Sequence, residues 1–252
     1  MIELDIAGLS HTGRVRRTNQ DRIAWESSPS GEQALLVLAD GMGGHQGGEI
    51  ASNLAVNAAM EALTPCLSAS VDPASPDFVR ERLDAAFLLA AERVREGQIS
   101  EPELAKMGST LVVVWSIGAT AFIAHVGDSR CYLFGADQLQ CLTRDDTVVQ
   151  NMIEDGSITE EEAPRVPFRN VLTRAIGASD DATPSFRTQI LAPGDGLLLC
   201  SDGLPEAVPE SEWLGLVDDR QDAQERVDAL LDQSLDNGAG DNVSMILLML
   251  KN

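Results

Sequence analysis

Leu35-Leu36-Val37-Leu38-Ala39-Asp40-Gly41 is the stretch on which the fold turns: five apolar residues run straight into an aspartate and a glycine. A short apolar run bounded by Asp-Gly has the length and the ending of a β-strand. Outward from it the same arrangement recurs. Residues 122–126 (FIAHV) end in Gly127-Asp128, residues 197–201 (LLLCS) end in Asp202-Gly203, and Gly240-Asp241-Asn242 stands directly before the apolar run 243–250. Asp-Gly is also a favoured turn, so one instance carries little weight. Together they form a pattern, because converging strands would gather these carboxylates in one cleft. Left unpaired there, they would repel and raise one another's pKa values. A hard divalent cation relieves that conflict, and oxygen-only donors select Mg²⁺ or Mn²⁺ over zinc or copper.

Further β-like runs lie at 5–9, 110–117 and 130–134. Helical spacing joins Val79, Leu83, Phe87, Ala90 and Val94, and again Ala223, Val227, Leu230 and Leu231, while the alanine-rich stretch 49–63 also reads as a helix. Strands come in clusters and helices in pairs. That order predicts an α+β architecture with antiparallel sheets rather than a doubly wound parallel sheet. Residues 64–77 read as an irregular connector. Residues 143–184 mix short helical pieces, an acidic triplet at 160–162, Pro164 and Pro167. A connection of that length inside a compact domain is often a functional cover. At 252 residues, without internal repeats, the chain is expected to form a single domain over 1–252.

Charge narrows the function. Forty acidic residues against 18 basic ones give a formal net charge of −22. Such a field repels nucleic acid and anionic lipid, so neither is an expected partner. The lysines are Lys106 and Lys251, outside any motif, which removes the P-loop, kinase and Schiff-base lysines together. Arginine must carry any anion binding, and Arg14-Val15-Arg16-Arg17 is the candidate, through bidentate hydrogen bonds to phosphate. A solvated basic turn is the competing explanation. The glycine-rich stretch 41–48 (GMGGHQGG) lacks nucleotide-loop spacing; close backbone approach to a metal or substrate explains it better. Cys66, Cys131, Cys141 and Cys200 form no C-x-x-C pair and read as reduced thiols, and His11, His45 and His125 show no ligand spacing. The N-terminus lacks signal-peptide character, and no run reaches the roughly 20 apolar residues of a membrane span. A cytoplasmic protein is expected.

Taken in order, the segments 16–21 (RRTNQD), 40–49 (DGMGGHQGGE), 108–111 (GSTL), 126–130 (VGDSR), 170–177 (NVLTRAIG), 201–204 (SDGL) and 240–243 (GDNV) resemble the metal-dependent protein phosphatases of the type 2C (PPM) family, especially its compact bacterial members. The resemblance implies a four-layer αββα sandwich, with two antiparallel β-sheets flanked by helices, metals at one edge and a flap near them at about 143–184. It implies that Asp40 bridges two core Mn²⁺ or Mg²⁺ ions, with the Gly41 carbonyl, Asp202 and Asp241 completing the ligands. Asp128 with Asp202 resembles a third, weaker site. Asp21 acts through water or from just outside the ligands, Arg16 grips substrate phosphate, and Gln20 and Asn242 flank the ligands, Asn242 orienting its neighbours.

The implied activity is hydrolysis of phosphoserine and phosphothreonine by a metal-activated water, without a covalent phosphoenzyme. In agreement, no cysteine has an arginine six positions later. Animal relatives carry histidine where Met42 stands; His45 or a water remains as the proton donor. Three positions depart from the family pattern: Gln20 for a frequent glutamate, Asp146-Thr147 for His-Ser, and Val166-Pro167 for His-Pro. The implied partners are phosphorylated proteins, a Ser/Thr kinase or its targets, acting on a monomeric enzyme. A catalytically silent module that binds phosphoproteins and a partner-switching phosphatase with one substrate are the other readings.

Overall fold

A computed structural model describes residues 3–44, 46–68, 75–135, 138–179, 182–217 and 221–251. Strands β1 (Glu3–His11), β2 (Asp21–Ser27) and β3 (Gln33–Met42) lead into helices α1 (Gly47–Leu63) and α2 (Pro76–Ser100). Strands β4 (Gly108–Ser109), β5 (Leu111–Ile117), β6 (Thr120–Val126), β7 (Arg130–Phe134) and β8 (Leu139–Cys141) follow, then the short helix α3 (Val148–Glu154). The chain continues through β9 (Ser185–Ile190), β10 (Gly196–Cys200), α4 (Gly203–Ala207), α5 (Glu210–Leu216) and α6 (Ala223–Asp236) to β11 (Val243–Lys251).

Among the described residues the strands form two antiparallel sheets, one ordered β1-β11-β10-β7-β8 and the other β2-β3-β5-β6-β9, with β4 paired to β3. Side chains alternate between the faces of a strand, and here both faces are covered. Leu35 and Val37 of β3 pack with Ala55, Leu83 and Phe87 of α1 and α2. Leu36 and Leu38, between them in sequence, pack with Leu197, Leu199 and Ile246 of the other sheet. On the far face of that sheet, Leu198, Met245 and Leu247 meet Trp213, Val227 and Leu230 of α5 and α6. The expected αββα sandwich is present, and double coverage explains why the central strands read as unbroken apolar runs.

The helices start where local chemistry permits. Pro76 opens α2 in a position that needs no amide donor. Asp222 and Glu225 form a reciprocal capping box on α6. The expected connector at 64–77 holds a turn of 3₁₀ helix at Thr64–Ser68, and residues 69–74 lie outside the described residues.

Several strand borders differ from expectation, beginning with β1, which spans 3–11 rather than 5–9. Asp40 and Gly41 lie inside β3, which runs on to Met42, and the expected strand 110–117 is broken at Thr110. Of the cysteines, Cys131 and Cys200 are buried, Cys66 is half-buried, Cys141 is exposed, and all are free thiols. No helix among the described residues is long and apolar enough to cross a membrane.

Candidate metal centre

The open edge of the sandwich is built first from β2 and β3, whose register sets Asp21 directly opposite Asp40. On the other side of β3 a hydroxyl stands in for a ladder bond. Thr110 N donates to Asp40 O at 2.8 Å, but Asp40 N donates to the Thr110 hydroxyl, also at 2.8 Å. The Ser109 hydroxyl donates to Asp40 O at 2.9 Å, and Thr110 Oγ1 meets Ser129 Oγ at 2.7 Å. The GST segment therefore holds the Asp40 backbone from two sides and ties it to the turn that carries Asp128. One residue on, a Cβ on Gly41 would stand 1.9 Å from the Gly48 carbonyl oxygen. Only glycine lets the end of β3 approach the start of α1 so closely.

The second sheet supplies the other carboxylates. Asp202 follows β10 and occupies the N-cap position of α4, while Asp241 and Asn242 precede β11. Asn242 Oδ1 accepts from Gln20 N at 2.8 Å, and Asn242 Nδ2 donates to Thr12 O at 2.9 Å and Thr18 O at 3.0 Å. These three bonds fasten the basic turn to β11 and place Arg16 beside Asp241, with Nη2 to Oδ2 at 2.6 Å. Behind them the Ser201 hydroxyl donates to Asp21 Oδ2 at 2.8 Å and accepts from Ser244 N at 3.1 Å.

A cavity of about 620 Å³ opens here, its lining including Arg16, Asp40, Gly41, Asp128, Asp202 and Asp241. Gln20 and Asn242 also reach it, and the 170–175 segment of the flap forms one wall. A second cavity of about 720 Å³ adjoins it under the flap and shares Asp128, Asn170 and Asp202. Burial, and then the charges of Asp21, Asp202, Asp128 and Asp241, push Asp40 well above the ordinary carboxylate range. Burial and then Asp128 do the same to Asp202. Burial first and Asp145 second raise Asp128 to about 6. Burial also raises Asp21, whose Oδ1 is buried without a hydrogen-bond partner. The carboxylate of Asp241 instead raises the Arg16 pKa.

Among the described residues no three acidic, histidine or cysteine side chains are drawn into a finished metal cage. The donor set nonetheless fits hard divalent cations: it is oxygen-only, half-buried and mutually repulsive, and beside it Asp21 Oδ1 is buried without a hydrogen-bond partner. Asp40, Gly41, Asp128, Asp202 and Asp241 are the candidate ligands. His45, the candidate acid, lies outside the described residues. Sequence reading assigned no role to Thr110, Ser109 or Ser201, although the first two stand within the quoted GSTL segment and Ser201 within SDGL.

A sandwich whose one edge gathers half-buried, mutually repelling aspartates and an arginine around one cavity has the layout of a metal-dependent phosphoryl-transfer hydrolase. The chain belongs to the protein phosphatase 2C family, whose sequence profile matches residues 7–238. It is 34% identical over 248 residues to protein phosphatase PhpP of Streptococcus pneumoniae, covering 98% of each chain. The crystal structure of the Mycobacterium tuberculosis serine/threonine phosphatase PstP/Ppp superposes with a TM-score of 0.86 at 32% identity over 100% of both chains. The PstP catalytic domain in complex with two manganese ions superposes with a TM-score of 0.85 at 31% identity, again over 100% of both.

Proposed function

We propose that this chain is a metal-dependent protein serine/threonine phosphatase that releases phosphate from phosphoserine and phosphothreonine in proteins. The observation that carries the reading is the convergence of Asp40, Asp128, Asp202 and Asp241 with Arg16 around one cavity in a protein phosphatase 2C chain. Asp40, the Gly41 carbonyl, Asp202 and Asp241 would hold two Mn²⁺ or Mg²⁺ ions, and Asp128 with Asp202 a third. When bound, the cations lower the pKa of water and offset charge on the phosphoryl oxygens.

The protein's own contribution is positional. Arg16, half-exposed at the rim, presents its guanidinium to an incoming phosphate and can exchange its bond with Asp241 for one with substrate. Asn242 keeps that arginine's turn at a fixed distance from β11. Thr110 and Ser109 hold the backbone of Asp40 where that residue lines the cavity. Asp21 lies behind Asp40 with one oxygen held by Ser201 and the other available to an ordered water. His45 and a water stay equal candidates for the proton given to the leaving alkoxide.

Opposition to a Ser/Thr kinase, a cytoplasmic location and a monomeric state extend the same proposal; free thiols throughout support a reducing compartment. The test is phosphate release from a phosphothreonine peptide in Mn²⁺, in Mg²⁺ and in EDTA. Release that requires the metal is expected. A folded protein that releases nothing under either metal would transfer the assignment to a phosphoprotein-binding module.

A further inference from the structure

Asp146 stands where the family pattern departs, and it is the junction of three segments. Its side chain is buried, at 3% exposure for the residue. Gly127 N donates to Asp146 Oδ2 at 3.0 Å, and Asp146 N returns a bond to Gly127 O, also at 3.0 Å. Thr173 N donates to Asp146 O at 2.7 Å, and Arg174 Nη2 donates to Asp146 Oδ1 at 2.9 Å. Beyond it, Arg174 reaches Thr183 O at 2.9 Å and Ser185 Oγ at 2.8 Å, at the start of β9. Gly127 has φ +104°, and a Cβ there would come within 2.7 Å of Thr110. The turn is thus held between Thr110 on one side and Asp146 on the other. Its next residue is Asp128, and the 170–175 segment that Asp146 also bonds is the wall of the cavity.

We propose that Asp146 is a positioning residue for the reaction: it fixes the Gly127–Asp128 turn, and through it the Asp128 carboxylate, against the flap wall carrying Thr173 and Arg174. The inference rests on the reading above, in which Asp128 and Asp202 hold a third cation. A carboxylate suits the place because both donors, an amide and a guanidinium, demand acceptors. Asparagine offers only one acceptor oxygen and turns its amide hydrogens toward the other donor.

The test compares Asp146→Ala, Asp146→Asn and Asp128→Ala in the full chain, by hydrogen exchange over residues 126–130, Mn²⁺ calorimetry and the Mn²⁺ dependence of turnover. Asp146→Ala is expected to speed exchange in that segment. It is also expected to weaken the weakest Mn²⁺ binding event, and raise the Mn²⁺ needed for half-maximal turnover, by about tenfold, the lower end for groups that orient a ligand. Asp146→Asn should fall between, and it carries the comparison if the alanine variant does not fold. A lowered melting temperature with exchange and Mn²⁺ dependence unchanged would overturn the inference and leave Asp146 a purely structural ion pair. Wild-type Mn²⁺ dependence in Asp128→Ala would instead remove the third-cation reading, and this inference with it.

Discussion

Two groups of carboxylates meet under the flap, and they are treated in opposite ways. Asp145 takes two bonds from Arg130, at 2.9 and 2.7 Å, and the same guanidinium donates to Glu210 at 2.8 Å. Asp146 is bonded by Arg174, and Glu154 is gripped by Arg144. Asp40 and Asp202, a few residues away in space, meet burial and other carboxylates instead. In the first group, Asp145 and Asp146 tie the flap to the sandwich, through Arg130 and Gly127, while Glu154 and Arg144 pair within the flap. The second costs stability at neutral pH, because desolvated like charges oppose one another. A fold tolerates such a conflict where function needs it, and a bound cation converts the conflict into binding energy.

The sharpest way to separate the groups is Asp40→Asn. Turnover should fall by more than about 100-fold, the upper end for groups that merely support a ligand. Melted in EDTA, the same variant should be at least as stable as the wild type, since a desolvated carboxylate among like charges has gone. A variant that lost its activity because it lost its fold would erase the distinction. Arg16→Ala comes next. It removes a charge-assisted contact of about 1.5–3 kcal/mol, so KM for a phosphopeptide should rise roughly ten- to a hundredfold with the melting temperature little changed. Unaltered kcat and KM would remove Arg16 from phosphate binding. Asp145→Asn should show the opposite signature. Losing one arm of a half-buried bidentate pair costs about 1.5–3 kcal/mol, or about 3–12 °C in a chain of this size. Turnover at saturating Mn²⁺ should fall less than in Asp40→Asn.

What was legible in the sequence follows from the same chemistry. Central strands announced themselves because both their faces are covered, so β3, β5, β6, β10 and β11 are continuous in apolar residues. Of the strands left unread, β4 is two residues long, and β2, β8 and β9 are sheet edges that place polar or charged side chains such as Arg22, Glu26, Gln140 and Arg187 in solvent. Asp40, Asp128, Asp202 and Asp241 were visible through their glycines and the ends of apolar runs. The hydroxyls around them were not, because Thr110 and Ser109 hold the backbone of Asp40 and Ser201 holds the Asp21 carboxylate, residues far away in sequence that only the fold brings together. Asp146 was visible as a departure from a family pattern, but its four hydrogen bonds belong to segments up to 28 residues distant.

Glu154 gives the weakest and most discriminating case. The hydrogen bond from Arg144 holds its carboxyl below the ordinary glutamate value of 4.5. With the folded pKa depressed, any stabilisation is fully present above pH 4.5 and is lost as the pH falls toward about 2. Yet both partners stand largely in water, with side-chain exposures of 41% and 49%. Water screens such a pair, and ordering two long side chains offsets its gain. Glu154→Gln should therefore leave the melting temperature at pH 7 where it was, whereas Asp145→Asn lowers it. A drop of comparable size in both would mean that charge pairing alone, irrespective of burial, secures the flap. A drop confined to Asp145→Asn would mean that the flap is fastened at its buried root, leaving its outer helix α3 free to yield to a substrate.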